Sequence, residues 1–265
     1  MKNSIAVIKV GGAVVEDPIS LDTLLDEFTK IDGPKILVHG GGRLATAMAS
    51  LLKLETHMVN GRRITDKEML KVVTMVYGGL VNKQIVAKLQ ARGINAVGLT
   101  GADLDIVRAH RRPITPEGID FGYVGDVDHA EADNLRQLLY MFATPVIAPL
   151  THDGEGQLLN TNADTMAQTI AVALSKPMPD LDYSPEAVTL TFCFELPGVL
   201  RDASDPSTLI PRITENDFRA LVAEGIVSGG MIPKLENAFA ALHEGVSSVR
   251  ITNIEDLQGG TVICL

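Results

Sequence analysis

The chain has 265 residues, 46% of them apolar, and its 33 acidic against 23 basic side chains give a formal net charge of −10. That length and composition suit one large α/β domain or two lobes around a substantial core, and exclude disorder over most of the chain. The acidic balance, with 4% aromatic residues and no Trp, argues against nucleic-acid and anionic-membrane partners. Cys193 and Cys264 lie in apolar runs and are expected to be reduced, as in a cytoplasmic protein. The first apolar stretch, Ile5 to Val15, is broken by Lys9 and a glycine pair, so it does not read as a signal peptide.

Short β-branched runs alternate with amphipathic segments, the signature of a mainly parallel sheet covered by helices. Residues 4–10 read as a buried strand, and 20–31 as a helix capped by Ser20. A strand over 36–38 runs into His39-Gly40-Gly41-Gly42, from which a helix over 43–54 departs. Residues 56–65 read as a polar hairpin, and 66–92 as a long helix bent near Gly78-Gly79. A strand over 94–99 precedes turn-rich hairpins at 105–128, a helix at 133–142, a strand at 145–149 and a helix at 163–174. Three prolines within 175–185 mark a boundary between two lobes, 1–176 and 177–265. Beyond it come a strand at 187–194, helices at 215–224 and 232–244, and strands at 248–252 and 261–265.

Several familiar sites are missing. The chain contains no G-x-x-x-x-G-K-[ST], no strand-linked G-x-G-x-x-G, no zinc spacing and no G-x-S-x-G. What stands out instead is a set of glycine pairs at strand ends. Lys9-Val10-Gly11-Gly12 closes the first strand, where bare amides and an ammonium could meet an anion; alone, it could equally be a tight turn with a snorkelling lysine. His39-Gly40-Gly41-Gly42 repeats the arrangement at a helix N-terminus, a natural place for phosphate or carboxylate. Asn160-Thr161-Asn162-Ala163-Asp164 opens another helix and reads either as its cap or as a polar cluster for a ligand. Asn60-Gly61-Arg62-Arg63 offers guanidiniums that could grip a carboxylate in two-pronged fashion, or a plain basic turn. Gly229-Gly230-Met231-Ile232-Pro233-Lys234 carries the third glycine pair and a second lysine.

In this order, spanning nearly the whole chain, the five segments resemble those of the amino-acid kinase superfamily, most closely its acetylglutamate kinase branch. The resemblance implies a three-layer αβα sandwich around a mainly parallel central sheet. It also implies ATP-dependent phosphorylation of the γ-carboxylate of an N-acyl-L-glutamate, N-acetyl-L-glutamate, in arginine biosynthesis. Lys9 and Lys234 match the lysines that neutralise the transferring phosphoryl group and the leaving ADP, and Asp164 matches the carboxylate that orients both. Gly11 and the Gly41-Gly42 pair match backbone donors to the phosphoryl group, the pair also lying at the acylglutamate. Arg63 and Asn160 match positions that hold the α-carboxylate and acylamido groups, with Asn162 beside them. Gly12, Glu195, Gly198, Val199, Leu200, Ser228, Gly230 and Met231 fall on the nucleotide side.

The same resemblance implies MgATP as co-substrate with no metal-ligating side chains, no nucleic-acid or membrane partner, and a homodimer. Members with arginine-inhibited hexamers carry a helix before the first strand, so an arginine-insensitive dimer is expected here. The first lobe would bind the acyl amino acid and form the dimer, and the second would bind ATP, with Lys234 reaching across the cleft. Two departures bear on the nucleotide contacts: Phe194-Glu195 stand where the family usually has Ser-Asp, and Gly229 where Asp often precedes the Gly-Met pair. No residue distinguishes an acetyl from a succinyl acyl group. A non-catalytic amino-acid sensor on the same fold, and a kinase for another small carboxylate, are the remaining readings.

Overall fold

The computed structural model describes residues 4–59, 61–177, 187–229 and 231–265. The chain opens with β1 (Ser4–Val10), turns at Gly11 into a short α1 (Gly12–Glu16), continues as α2 (Pro18–Thr29) and returns as β2 (Lys35–His39). After α3 (Gly42–Leu51) comes the hairpin β3 (Met58–Val59) and β4 (Arg62–Arg63). Next, α4 (Lys67–Val73), a π-helical segment (Thr74–Val81) and α5 (Asn82–Gln90) follow without a break and lead to β5 (Ala96–Thr100). The middle of the chain supplies β6 (Val107–Arg111), β7 (Gly125–Ala130), α6 (Ala132–Tyr140), β8 (Thr144–Ala148), β9 (Leu150–His152), β10 (Leu158–Asn160) and α7 (Ala163–Ser175). The last third supplies β11 (Ala187–Cys193), β12 (Arg212–Ile213), α8 (Glu215–Ala223), α9 (Met231–His243), β13 (Ser248–Thr252) and β14 (Thr261–Ile263).

One sheet runs in the order β12-β14-β13-β11-β1-β2-β8-β5, parallel throughout except for the β13–β14 pair. The mainly parallel sheet expected from the alternation is therefore present. Its three-layer character follows from the period of two along each strand. Ile5, Val7, Ile36 and Val38 pack with α6, α7 and α9 residues such as Leu139, Ile170 and Phe239. Ile8, Val10 and Leu37 pack on the other face with α2, α3 and α5 residues such as Leu24, Ala49 and Ile85. Burial on both faces explains why these strands read as continuous apolar runs rather than alternating ones. A smaller sheet, β10-β9-β6-β7, and the β3-β4 hairpin stand apart from the large one.

Three details differ from the sequence reading. The α2 cap is Asp17, whose Oδ2 accepts from the Ser20 N–H at 2.8 Å, and Pro18 starts the helix earlier than expected. Near Gly78-Gly79 there is no simple bend; the helix widens into π turns over Thr74–Val81, and regular α-helix resumes at Asn82. The short elements α1, β9, β10 and β12 are not signalled by the sequence, because runs this brief carry too little periodicity to register. The proline-rich boundary lies, after Pro177, outside the described residues. β11, from beyond that boundary, pairs with β1 from Ser4 to Val10. Among the described residues no helix is long and apolar enough to cross a membrane.

Candidate active site

Lys9 is the penultimate residue of β1 and follows Ile5 and Val7 on the face covered by α7 and α9. Its side chain is nearly buried, and an isolated ammonium there would be costly. Asp164, in the first turn of α7, supplies the counter-charge: Oδ1 lies 2.7 Å from Lys9 Nζ. The pairing is ionic, since Oδ1 has no donor in hydrogen-bond geometry. Asn162 is the α7 N-cap, its Oδ1 accepting from the N–H groups of Asp164 (2.7 Å) and Thr165 (3.1 Å). The cap reading of this segment is therefore realised, and capping fixes the backbone from which the Asp164 carboxylate projects.

Lys234, in the first turn of α9, converges on the same place. Its Nζ lies 3.5 Å from the centroid of the Phe194 ring, and Lys9 Nζ lies 5.1 Å from it. Burial holds the Lys234 ammonium below the ordinary lysine range; the neighbouring Asp164 and Glu195 carboxylates oppose that shift, and Lys9 adds to it.

The two glycine loops pack backbone against backbone. A Cβ on Gly12 would lie 3.2 Å from both the Gly41 and Gly42 nitrogens, and one on Gly40 would lie 3.0 Å from the Gly12 nitrogen. Here glycine is required by close approach, not by its freedom of φ. The Gly40 N–H donates to the Val10 carbonyl at 3.0 Å, joining the loops at their base. Glu16 reaches over from α1 to accept the Leu44 N–H at 2.8 Å, which leaves the earlier amides of the α3 N-terminus for a ligand. Beneath the loop His39 is fully buried, its Nδ1 2.8 Å from the Gly40 carbonyl and its Nε2 3.2 Å from Asn82 Nδ2. Burial pushes its pKa down to about 4, so the imidazole is neutral and structural at ordinary pH.

These groups line two cavities with a common wall. One, of about 240 Å³, is bounded by Lys9, Gly12, Gly41, Gly42, Arg62, Arg63, Tyr77, Asn160, Asn162 and Asp164. The other, of about 500 Å³, is bounded by Lys9, Gly11, Gly12, Gly42, Arg43, Phe194, Glu195, Gly198, Met231, Lys234 and Asp164. Lys9, Gly12, Gly42 and Asp164 belong to both. In the smaller cavity, Arg63 Nη2 is spent on the Gly42 carbonyl (2.7 Å) and Thr46 Oγ1 (2.8 Å). Its Nη1 is buried and has no protein partner, the condition of a donor set for a ligand acceptor. Asn160 is held by Nδ2 donating to Thr65 Oγ1 at 2.9 Å.

Most residues singled out from the sequence thus come together around the shared wall. Val199 and Leu200 do not: both are buried in the core, Val199 donating its N–H to Thr261 Oγ1 at 2.8 Å and Leu200 bridging to Leu209. Ser228 is exposed and lines neither cavity. Gly230 and Asn60 lie outside the described residues.

Among the lining residues to which the sequence assigns no function, Tyr77 and Phe194 stand out. Tyr77 sits in the π-helical segment with its ring against Gly41, where a Cβ would come within 3.0 Å of it. Burial raises its phenol pKa, and the Arg63 guanidinium opposes that rise. Phe194 stands in the sequence only as a departure from the family pattern, yet its ring underlies both lysines. The π-helical segment is the signal that could have drawn attention to Tyr77, since such widenings collect at functional sites.

A model of the amino acid kinase family matches residues 4–253 of the chain. The acetylglutamate kinase of Bacteroides fragilis is 53% identical over 265 residues, covering 99% of this chain and 98% of that protein. The acetylglutamate kinase of Bacteroides thetaiotaomicron is 55% identical over 252 residues, covering 95% and 94% respectively. Among solved structures, smu.665 from Streptococcus mutans superimposes with a TM-score of 0.75 at 27% identity, covering 99% of each chain.

Proposed function

The chain belongs to the amino acid kinase family, and on that premise we propose that it transfers the γ-phosphoryl group of ATP to the γ-carboxylate of N-acetyl-L-glutamate, forming the acyl phosphate. The observation that carries this reading is the Lys9–Asp164 pair in the wall between two cavities, with Lys234 converging on the same spot. The acylglutamate occupies the smaller cavity and the nucleotide the larger one. Their reacting ends meet at the wall.

Joining a carboxylate to a phosphoryl group brings two anions together, so positioning and charge neutralisation carry the catalysis. The acceptor carboxylate is already ionised at neutral pH, so no general base is required. Arg63 Nη1 takes the α-carboxylate, Asn160 the acylamido group, and Asn162 lies beside them. The amides of Gly41 and Gly42 face the phosphoryl oxygens, Lys9 binds the group in transit, and Lys234 steadies the departing ADP. Gly11 lines the nucleotide cavity, but its N–H donates to the Cys193 carbonyl at 3.3 Å and is not the free donor expected from the sequence. Gly12, Glu195, Gly198 and Met231 surround the nucleotide.

Among the described residues no three His, Cys, Asp or Glu side chains converge as a metal cage. Mg2+ would enter as MgATP and supply further neutralisation of the phosphates. Residues 1–176 would form the acylglutamate side and 177–265 the nucleotide side. Homodimerisation is supported by the exposed Leu51, Leu52 and Met75 on adjoining helical segments, and a cytoplasmic place in arginine biosynthesis by the acetylglutamate kinase relatives.

One observation favours a second acyl group. Arg62 lines the acylglutamate cavity and forms no ion pair among the described residues, which fits the extra carboxylate of an N-succinyl substrate.

A coupled ADP-release assay with N-acetylglutamate, N-succinylglutamate, glutamate and aspartate separates these readings. Turnover with acylated glutamates alone is expected. Binding of an acylglutamate without ADP release would indicate a sensor instead. Lys9→Ala and Lys234→Ala should each lower kcat by about 10²–10³ with the fold retained; near-normal turnover in either would refute the assignment.

A further inference from the structure

Phe194 follows directly on β11, and its N–H donates to the Thr252 carbonyl at 2.8 Å. Its ring stacks on Phe192 with centroids 6.2 Å apart and planes 10° from parallel. Phe192 is buried and is the β11 register partner of Lys9 on β1. The Phe194 ring therefore rests on a platform built into the centre of the sheet, at the carboxyl end of its parallel strands.

Two ammonium groups share this ring, at 3.5 Å for Lys234 and 5.1 Å for Lys9. Lys9 has a second anchor in Asp164. Lys234 has neither ion pair nor hydrogen bond among the described residues, so the aromatic face is its closest partner. We propose that Phe194 is a positioning residue for phosphoryl transfer, one ring that gathers both lysines at the point of reaction while leaving the charge of Lys234 available to phosphate. The proposal rests on the kinase reading above.

The physical reason lies in what each kind of partner would do to Lys234. A carboxylate in contact would neutralise the ammonium and compete with the incoming phosphate. Water would hydrate it and leave it mobile. An aromatic face attracts a cation through its quadrupole but adds no net charge. It also offers no strong hydrogen-bond acceptor, so N–H donors of the ammonium turned away from the ring remain free for a ligand. Two ammoniums repel each other. The ring under both, with Asp164 beside Lys9, offsets that repulsion before any phosphate arrives. A small hydroxyl side chain at this position could not do so.

The test compares Phe194→Leu, which keeps apolar bulk without the quadrupole, with Phe194→Tyr, which keeps the ring. Steady-state kinetics are measured with N-acetylglutamate and MgATP. Phe194→Leu should lose about tenfold in kcat with the acylglutamate KM unchanged, while Phe194→Tyr stays within about threefold of the parent. In the nucleotide-free protein, the Lys234 ε-methylene protons should show an upfield ring-current shift that persists in Phe194→Tyr and vanishes in Phe194→Leu. Absence of that shift from the parent protein would overturn the proposal even if the leucine variant failed to fold. Unchanged kcat in Phe194→Leu would overturn it, as would a rise confined to the ATP KM, which would make the ring a shelf for the nucleotide. If the parent releases no ADP with any acceptor, the kinase reading fails, and the ring-current shift still tests the lysine–ring contact by itself.

Discussion

Replacing Asp164 by Asn keeps the side chain's shape and removes one charge between two ammoniums. The α7 cap survives, because Asn162 bonds the backbone N–H of residue 164 and not its side chain. At 2.7 Å, with an effective dielectric constant near 20, the Lys9–Asp164 attraction is about 6 kcal/mol before desolvation is counted. The two side chains are only 8% and 20% exposed, so solvent screens the pair weakly, but burying them has already consumed part of that energy. The expected net loss of stability in Asp164→Asn is about 2–3 kcal/mol, a fall in Tm of about 4–5 °C for a domain of this size. Turnover should suffer more, because Lys9 loses its anchor and Lys234 one of its two neighbouring carboxylates; a drop of about 10²–10³ in kcat is expected. Thermal unfolding and coupled ADP release on the same preparation measure both. A variant with near-parental kcat would show that the carboxylate does not organise the lysines, and an unchanged Tm would show that the ion pair adds nothing to the fold.

Arg63→Lys cannot serve Gly42, Thr46 and a ligand together with one compact ammonium, so the acylglutamate KM should rise at least tenfold while the ATP KM holds, as initial-rate kinetics would reveal. Gly12→Ala would push a methyl group against the Gly41 and Gly42 nitrogens, which belong to backbone and cannot swing away; kcat/KM for both substrates should fall at least tenfold while far-UV circular dichroism stays parental. His39 has a folded pKa of about 4 against about 6.5 when unfolded. The unfolded chain therefore binds the extra proton between those values, and stability is lost as pH falls from 6.5 towards 4. The His39 contribution is about 3 kcal/mol in all. Its imidazole resonances should remain those of the neutral form until near pH 4, and titration near 6.5 would refute the burial argument.

Much of this arrangement is legible in residue order because it depends on local chemistry. A run such as Ser4–Val10, apolar on both faces, has few places to go except the middle of a parallel sheet. Glycine pairs at the ends of two such strands mark backbones that must come close, as Gly12 and Gly40 do. The position of Tyr77 was not legible. The π turns over Thr74–Val81 shift the phase of every later side chain relative to a 3.6-residue period, and periodicity arguments assume that phase is kept. Val199 and Leu200 illustrate the opposite case: matched by motif to the nucleotide side, they are drawn into the core by their own apolar side chains.

Strand, helix and turn chemistry along the chain thus settles which segments pair and where anions could approach bare amides. It does not settle that Lys9 and Lys234, near opposite ends of the chain, point at one ring. That outcome depends on β11 crossing back to lie beside β1, on α7 and α9 covering the same face, and on Phe192 raising Phe194 beneath both ammoniums. Contacts between residues so distant in sequence exist only once the core has closed, because the burial of many apolar groups offsets the entropy of bringing them together.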